Sequence, residues 1–363
     1  MKHLISISIL LFALAGCAGD TFNPGDPASA EFQQTQLLRC LTSNACTNTA
    51  NSGGEDPSAS ANDGGTAGPT PPPGYVYTAH GSGMGLSTDS GTSFSLITTA
   101  NGLVDNNTRG LYVDADGILV GTISGTSYSQ DNGTSYSTID PGNTNTTYRA
   151  NSVIYLGQST GGLLISTDNG ASFTQRTTAD GLVDNNVNSI FVDGSNLYVA
   201  TANGLSISTD GGVSFVNRTM ADGIGDDILY GVHASGSTIY VATFGGFSIS
   251  TDGGVSFVNR TTADGLGANA VRGGLAVVGG IVYAGTQSGL SISTDGGASF
   301  VNRTTADGLG SNDIRSLFVT AGGDIYAGTL SGLSISTDGG TSFVNRTTAD
   351  GLGSNLVRDV FVY

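Results

Sequence analysis

Five arginines recur at related places along the second part of the chain: Arg109, Arg149, Arg272, Arg315 and Arg358. Each sits just after a polar connecting segment, typically A-D-G-L-x-x-N, at the start of a run of alternating apolar residues. Guanidinium groups gathered at one place would bind a carboxylate or sulfate through paired N–H donors. The connecting segments also carry Asp180, Asp222, Asp264, Asp307 and Asp350, so ion pairing within the repeat is the competing use of the same arginines. The two remaining equivalent positions hold Asn188 and Leu229. A second set, Arg176, Arg218, Arg260, Arg303 and Arg346, falls later in the unit, where charge would discourage pairing of an outer sheet edge.

Other chemistry fails on inventory. Glu31 and Glu55 are the only glutamates, and both precede the repeats. His80 and His233 lie in different repeats, which disfavours a histidine metal site. There is no G-x-S-x-G elbow with a histidine partner, no G-K-[ST] phosphate loop and no D-x-[DN]-x-[DN]-G calcium spacing. No cofactor and no metal are expected. The formal charge of −17 argues against nucleic acid, which needs a basic face to displace counterions.

The elements that must position these residues are repeats. An S-x-D-x-G-x-x-F/Y motif occurs seven times, with Asp89, Asp131, Asp168, Asp210, Asp252, Asp295 and Asp338 at spacings of 42, 37, 42, 42, 43 and 43 residues. Such a period suits four short strands and their turns. In one copy, D-I-R-S-L-F-V-T, D-I-Y-A-G-T and L-S-I-S-T read as three strands with period-two alternation, and D-G-G turns the chain into a fourth. Alternation of that kind predicts half-buried sheets. Glycine supplies the positive φ of the hairpins, and the aspartate accepts N–H bonds within its own turn.

The seven motifs resemble the Asp-box, or BNR repeat, and A-D-G-L-G-S-N-x-V-R followed by G-T-x-S-G-L is similar to the repeat of two-component-regulator propellers. Together the resemblances cover residues 75–363. They imply a β-propeller in which the Asp-box is a structural hairpin, so the seven aspartates are expected to form turns and not to catalyse. The ends of the region favour a closed ring over an open array. Tyr75-Val76-Tyr77 aligns with the second strand of the unit and Leu356 to Tyr363 with the first, so each end lacks what the other supplies. The expected fold is all-β: a seven-bladed propeller of four-stranded blades, closed by pairing the C-terminal strand with the N-terminal blade. Sialidases share the Asp-box and use arginines, but they also need a Tyr–Glu pair and an acid Asp, and the F-R-I-P segment typical of that family is absent here.

Residues 1–16 read as an export signal: Lys2 and His3 precede an apolar run from Leu4 to Leu14, too short to remain as a spanning helix. Leu14-Ala15-Gly16-Cys17 resembles the lipobox of bacterial lipoproteins. That resemblance implies acylation of Cys17, a lipid bilayer as partner and, with Ala18 following, the outer membrane, facing the periplasm or the surface. Residues 17–74 are rich in Pro, Gly, Asn, Thr and Ser and read as a disordered linker. Within it Cys40 and Cys46 are placed to close a small disulfide loop, or to pair between molecules.

A symmetric ring gains a specific site where its symmetry breaks. Those places include Asp226 to Tyr230, His233, Phe244 to Phe247 and the shortened segment Asp140 to Asn151. Tyr148, Tyr230, His233 and Phe244 therefore join the five arginines as candidate ligand-binding residues. The functional expectation is a non-catalytic envelope lipoprotein whose propeller face binds a protein or glycan. The alternative is a polysaccharide-active hydrolase or lyase of atypical design.

Overall fold

The computed structural model describes residues 71–363; the export signal, the linker up to residue 70, and with them Cys17, Cys40 and Cys46, lie outside the described residues. The rest is a seven-bladed β-propeller. Each blade is a four-stranded antiparallel sheet, and six blades are continuous in sequence. The first blade is composite: its innermost strand is Asp359–Val362, followed outward by Val76–His80, Gly83–Ser87 and Ser95–Ile97. Val362 pairs with Val76 and Asp359 with Ala79, and Gly74 N donates to Tyr363 O at 2.6 Å beside them. The innermost strands of the second to seventh blades are Thr108–Asp114, Thr144–Ala150, Val187–Asp193, Leu229–Ser235, Leu275–Val278 and Ile314–Val319.

Blade stacking changes the meaning of the alternation. The strand Gly204–Ser208 (G-L-S-I-S) reads as one apolar and one solvated face, yet Ser206 and Ser208 are buried along with Leu205. Neighbouring blades cover both faces, so buried polar side chains must find partners. Ser206 Oγ accepts from Val183 N at 3.0 Å and donates to Asn217 Oδ1 at 2.7 Å; Ser248, Ser291 and Ser334 likewise accept from Gly225 N, Gly267 N and Gly310 N. With Ser127, which accepts from Val104 N, the serines thus fasten the connecting segment to the blade it enters in five of the seven blades.

The Asp-box turns are built alike. In the fourth blade Ser208 Oγ donates to Asp210 Oδ1 at 2.7 Å and accepts from Gly212 N at 2.8 Å. Asp210 also accepts from Ser214 N at 2.9 Å and from Ser214 Oγ at 2.6 Å. These donors, the serine hydroxyls first, hold the box carboxylates well below their ordinary range, Asp168 at about 2. Gly212 has φ +89°, and a Cβ there would lie 2.6 Å from Ile165 Cδ1 of the preceding blade. Position and packing both demand glycine.

The outer arginines do more than guard an edge. Arg176 Nε donates to Gly212 O of the next blade's box at 2.7 Å, Arg346 Nε does the same to Gly91 O at 3.0 Å, and Arg218 reaches Gly254 O. They clasp one blade to the next across the ring seam.

Candidate functional site

The innermost strands of five blades carry the same irregularity. Register against the second strand skips one residue between Thr108 and Gly110, Thr144 and Thr146, Val187 and Ser189, Leu229 and Gly231, and Ile314 and Ser316. The skipped residues are Arg109, Asn145, Asn188, Tyr230 and Arg315. A bulge turns its extra residue out of the ladder. Together with Arg272 and Arg358 these five line one cavity of about 390 Å³ to which all seven blades contribute. A second space of about 650 Å³ shares six of the seven residues and adds Leu330 and Leu356. Both volumes are in the range of ligand sites.

The occupants divide the ring in two. Arg272, Arg315, Arg358 and Arg109 come from the sixth, seventh, first and second blades in order, so the guanidiniums are contiguous. Asn145, Asn188 and Tyr230 make up the other side. Arg109 donates to Asn143 Oδ1 at 3.1 Å and Asn145 Oδ1 at 2.7 Å, and Arg358 donates to Asn107 Oδ1. Arg315 donates to Asp313 at 2.9 Å. Arg272 lies over the Tyr230 ring at 5.5 Å and makes no ion pair among the described residues. Burial, then the neighbouring Arg109 charge, pushes Arg358 below the usual arginine value.

The acids proposed as partners are engaged elsewhere. Asp180, Asp222, Asp264, Asp307 and Asp350 each close a capping box on a one-turn 3-10 helix, accepting from the backbone N–H of the preceding threonine cap. A carboxylate spent on a helix cap is not aimed at the ring centre. Asp264 does form an ion pair at 3.7 Å, but with outer Arg260.

Two positions were misread from sequence. Arg149 is not at the cavity: it lies near the far end of Thr144–Ala150, 3% exposed, and donates to Asp114 at 3.1 Å, Tyr128 Oη at 2.7 Å and Asn169 at 2.9 Å. Asn145 takes its expected place. In the fifth blade Leu229 is fully buried and Tyr230 occupies the ring. The signal that finds the first is distance to the following Asp-box: Arg109 precedes Asp131 by 22 residues and Arg315 precedes Asp338 by 23, whereas Arg149 precedes Asp168 by 19 and Asn145 by 23. The same count, 23 for Leu229 and 22 for Tyr230 before Asp252, does not separate the fifth-blade pair.

Tyr148 and His233 also lie away from the cavity, in a belt of rings three residues further along the inner strands. Phe318, Phe361, Tyr112, Tyr148, Phe191 and His233 follow one another at centroid distances of 4.9, 5.4, 5.2, 5.9 and 4.4 Å. Such pairs cement neighbouring blades. Burial pushes His233 down to about 4, so it sits in the belt as a neutral ring. Ala276 takes the belt position in the sixth blade, opposite Tyr283 as Phe318 is opposite Tyr326. Phe244 is exposed on a turn whose N–H donates to Ile228 O at 3.1 Å, outside the cavity lining.

Sequence reasoning missed Asp359. It is the one carboxylate among the described residues of the cavity lining. Leu111 N donates to it at 2.8 Å and Val360 N at 2.9 Å. Burial outweighs these bonds and raises its carboxyl to about 7.

No protein-family model matches the sequence, and no curated protein matches it. Solved structures match the fold. The extracellular domain of BT3049 from B. thetaiotaomicron, assigned to the hybrid two-component systems, superposes with a TM-score of 0.61 at 18% identity, over 74% of this chain and 39% of that one. That of BT4673 from the same organism gives 0.58 at 17%, over 70% and 35%. YCF48 bound to D1 peptide gives 0.53 at 12%, over 72% and 90%. The chain thus spans well under half the length of the two extracellular domains it is similar to. At these identities the likeness is one of fold.

Proposed function

We propose that this protein is a non-catalytic binding protein of the cell envelope, whose propeller takes an acidic glycan into the cavity at the ring centre. One observation carries the reading: four contiguous guanidiniums, of which Arg315 alone is ion-paired among the described residues, face a cavity whose opposite side offers the neutral Asn145, Asn188 and Tyr230. The cationic side suits carboxylate or sulfate groups by bidentate contact, and the Tyr230 phenol with the Asn188 amide oxygen suits sugar hydroxyls, the Asn145 amide and the Asn188 NH2 being bonded within the ring. Hydrolysis by paired carboxylates needs two acids flanking the bond, and among the described residues Asp359 is the single acid of the lining. The fold neighbours support binding as the class of activity: two are extracellular domains and one holds a peptide. Anchoring through acylated Cys17, with residues 17–74 as a tether and the outer membrane as destination, rests on the lipobox resemblance and belongs to the same proposal. In it the box aspartates form turns and Cys40 pairs with Cys46.

The test is calorimetric binding of sulfated and uronate-bearing oligosaccharides to wild type and to the triple variant Arg272→Gln, Arg315→Gln, Arg358→Gln. Loss of three charge-assisted contacts should weaken binding by roughly a hundredfold, with salt-sensitive wild-type affinity. Equal affinity of the two proteins, or binding of neutral sugars alone, refutes it.

A further inference from the structure

At the position after each ring residue the blades carry Gly110, Thr146, Ser189, Gly231, Gly273 and Ser316. All are small and uncharged. The first blade alone has a carboxylate there, Asp359. It lines the same cavity as Arg358, Arg109, Arg315 and Arg272 but forms a salt bridge with none of them. Its two recorded partners are backbone N–H groups, Leu111 of the second blade and Val360 of its own strand. A seam between blades needs only an acceptor at this point, and a neutral amide would serve. What a carboxylate adds is a charge of the wrong sign for the proposed ligand.

We infer that Asp359 is the pH-sensitive element of the anion cavity: its negative charge opposes bound anions, and protonation removes the opposition and leaves four guanidiniums facing the ligand. This rests on the cavity being the anion site. The geometry puts the carboxyl inside the lining, so any anion drawn to the arginines comes near it. Its buried setting, which raises the carboxyl to about 7, places the change near neutrality. The strands packed against Asp359–Val362 carry few competing groups. Val76–His80 supplies Tyr77, pushed up by burial, and His80, pushed down to about 4 by burial and by Arg358. Thr108–Asp114 supplies Arg109, Tyr112 and, at its far end, Asp114 in its pair with Arg149. Ile314–Val319 supplies Arg315, which donates to Asp313, and Ile325–Thr329 supplies Tyr326, also pushed up by burial. Asp359 is the group of this set placed to change charge near neutral pH. The site therefore holds anions that stay ionised through this range, sulfate esters and uronates alike, most tightly on the acid side.

The experiment measures the affinity of the unlabelled full chain for a sulfated oligosaccharide at constant ionic strength, between about pH 5.5 and about pH 8.5, where sulfate itself does not titrate. Wild type should weaken roughly three- to thirtyfold with rising pH, the size expected for one like charge several ångströms away in a partly screened site. Asp359→Asn should keep the acid-side affinity throughout. A wild-type affinity that is flat with pH overturns the role of Asp359 and leaves the anion site standing. A pH response that survives in Asp359→Asn overturns it equally. Absence of binding at every pH removes the site itself. Should the variant not fold, the Asp359 carboxyl is titrated in wild type by infrared difference spectroscopy with and without saturating sulfated ligand. Linkage requires its midpoint to rise by the factor seen in affinity, and an unmoved midpoint overturns the inference.

Discussion

Arg149 and Arg272 stand on inner strands of the same ring and differ in nearly everything that decides what an arginine does. Arg149 is 3% exposed, and its guanidinium meets Asp114, Asp116 at 3.6 Å, Tyr128 and Asn169, with the Tyr128 ring beneath it at 5.0 Å. Arg272 faces the cavity with a tyrosine ring beside it and makes no ion pair among the described residues. A buried cation must be neutralised where it stands, because the protein interior replaces its water poorly. A cation at the lining of an open cavity stays partly exposed and has donors to offer a ligand. The same residue type is thus a fastening between blades at one end of the strands and a candidate ligand contact at the other.

Three substitutions test that contrast. Arg149→Ala should cost about 3–5 kcal/mol in urea unfolding, because it leaves Asp114 buried and unpaired, and should leave anion affinity alone. Asp114 is already pushed up by burial against the pull of Arg149, so the variant should recover part of its loss as the pH is lowered and that carboxyl protonates. A variant as stable as wild type would erase the distinction between the two ends. Next, Tyr128→Phe removes one hydroxyl from the cluster, the acceptor for Arg149 and the donor to Asp116 O at 2.9 Å. About 1 kcal/mol of destabilisation is expected from the loss of these hydrogen bonds. Finally, Arg272→Gln should shift stability by no more than about 0.5 kcal/mol, as for a surface substitution. A loss comparable to that of Arg149→Ala would mean that the cavity arginines are structural, and the ligand proposal would lose its basis.

Much of the fold was legible because it is repetitive. Seven boxes at near-constant spacing announce seven copies of one hairpin, and unmatched first and last strands announce closure, as the pairing of Val76–His80 with Asp359–Val362 bears out. The half-buried reading of the serine-alternating strands was wrong for the same reason that the ring holds together: blades are stacked, so neither face meets water. The site was legible only in part. Arg109, Arg272, Arg315, Arg358 and Tyr230 were identified and do share a cavity, whereas Arg149, Tyr148, His233 and Phe244 do not reach it. A third blade shortened by some five residues moved the apparent arginine position, and the count to the next Asp-box would have restored it.

What the sequence alone determined is the unit: four strands, the Ser–Asp–Gly turn, and the threonine-capped connection, all built from contacts within a few residues. Only the tertiary structure decided which of the ten arginines among the described residues converge, because that depends on a one-residue bulge at the start of five of the inner strands and on which residues seven separate blades bring to one axis. Asp359 shows the point most plainly. Along the chain it is one acid among many, and its character arises when ring closure sets it against Leu111, some 250 residues away, and takes it partly out of water.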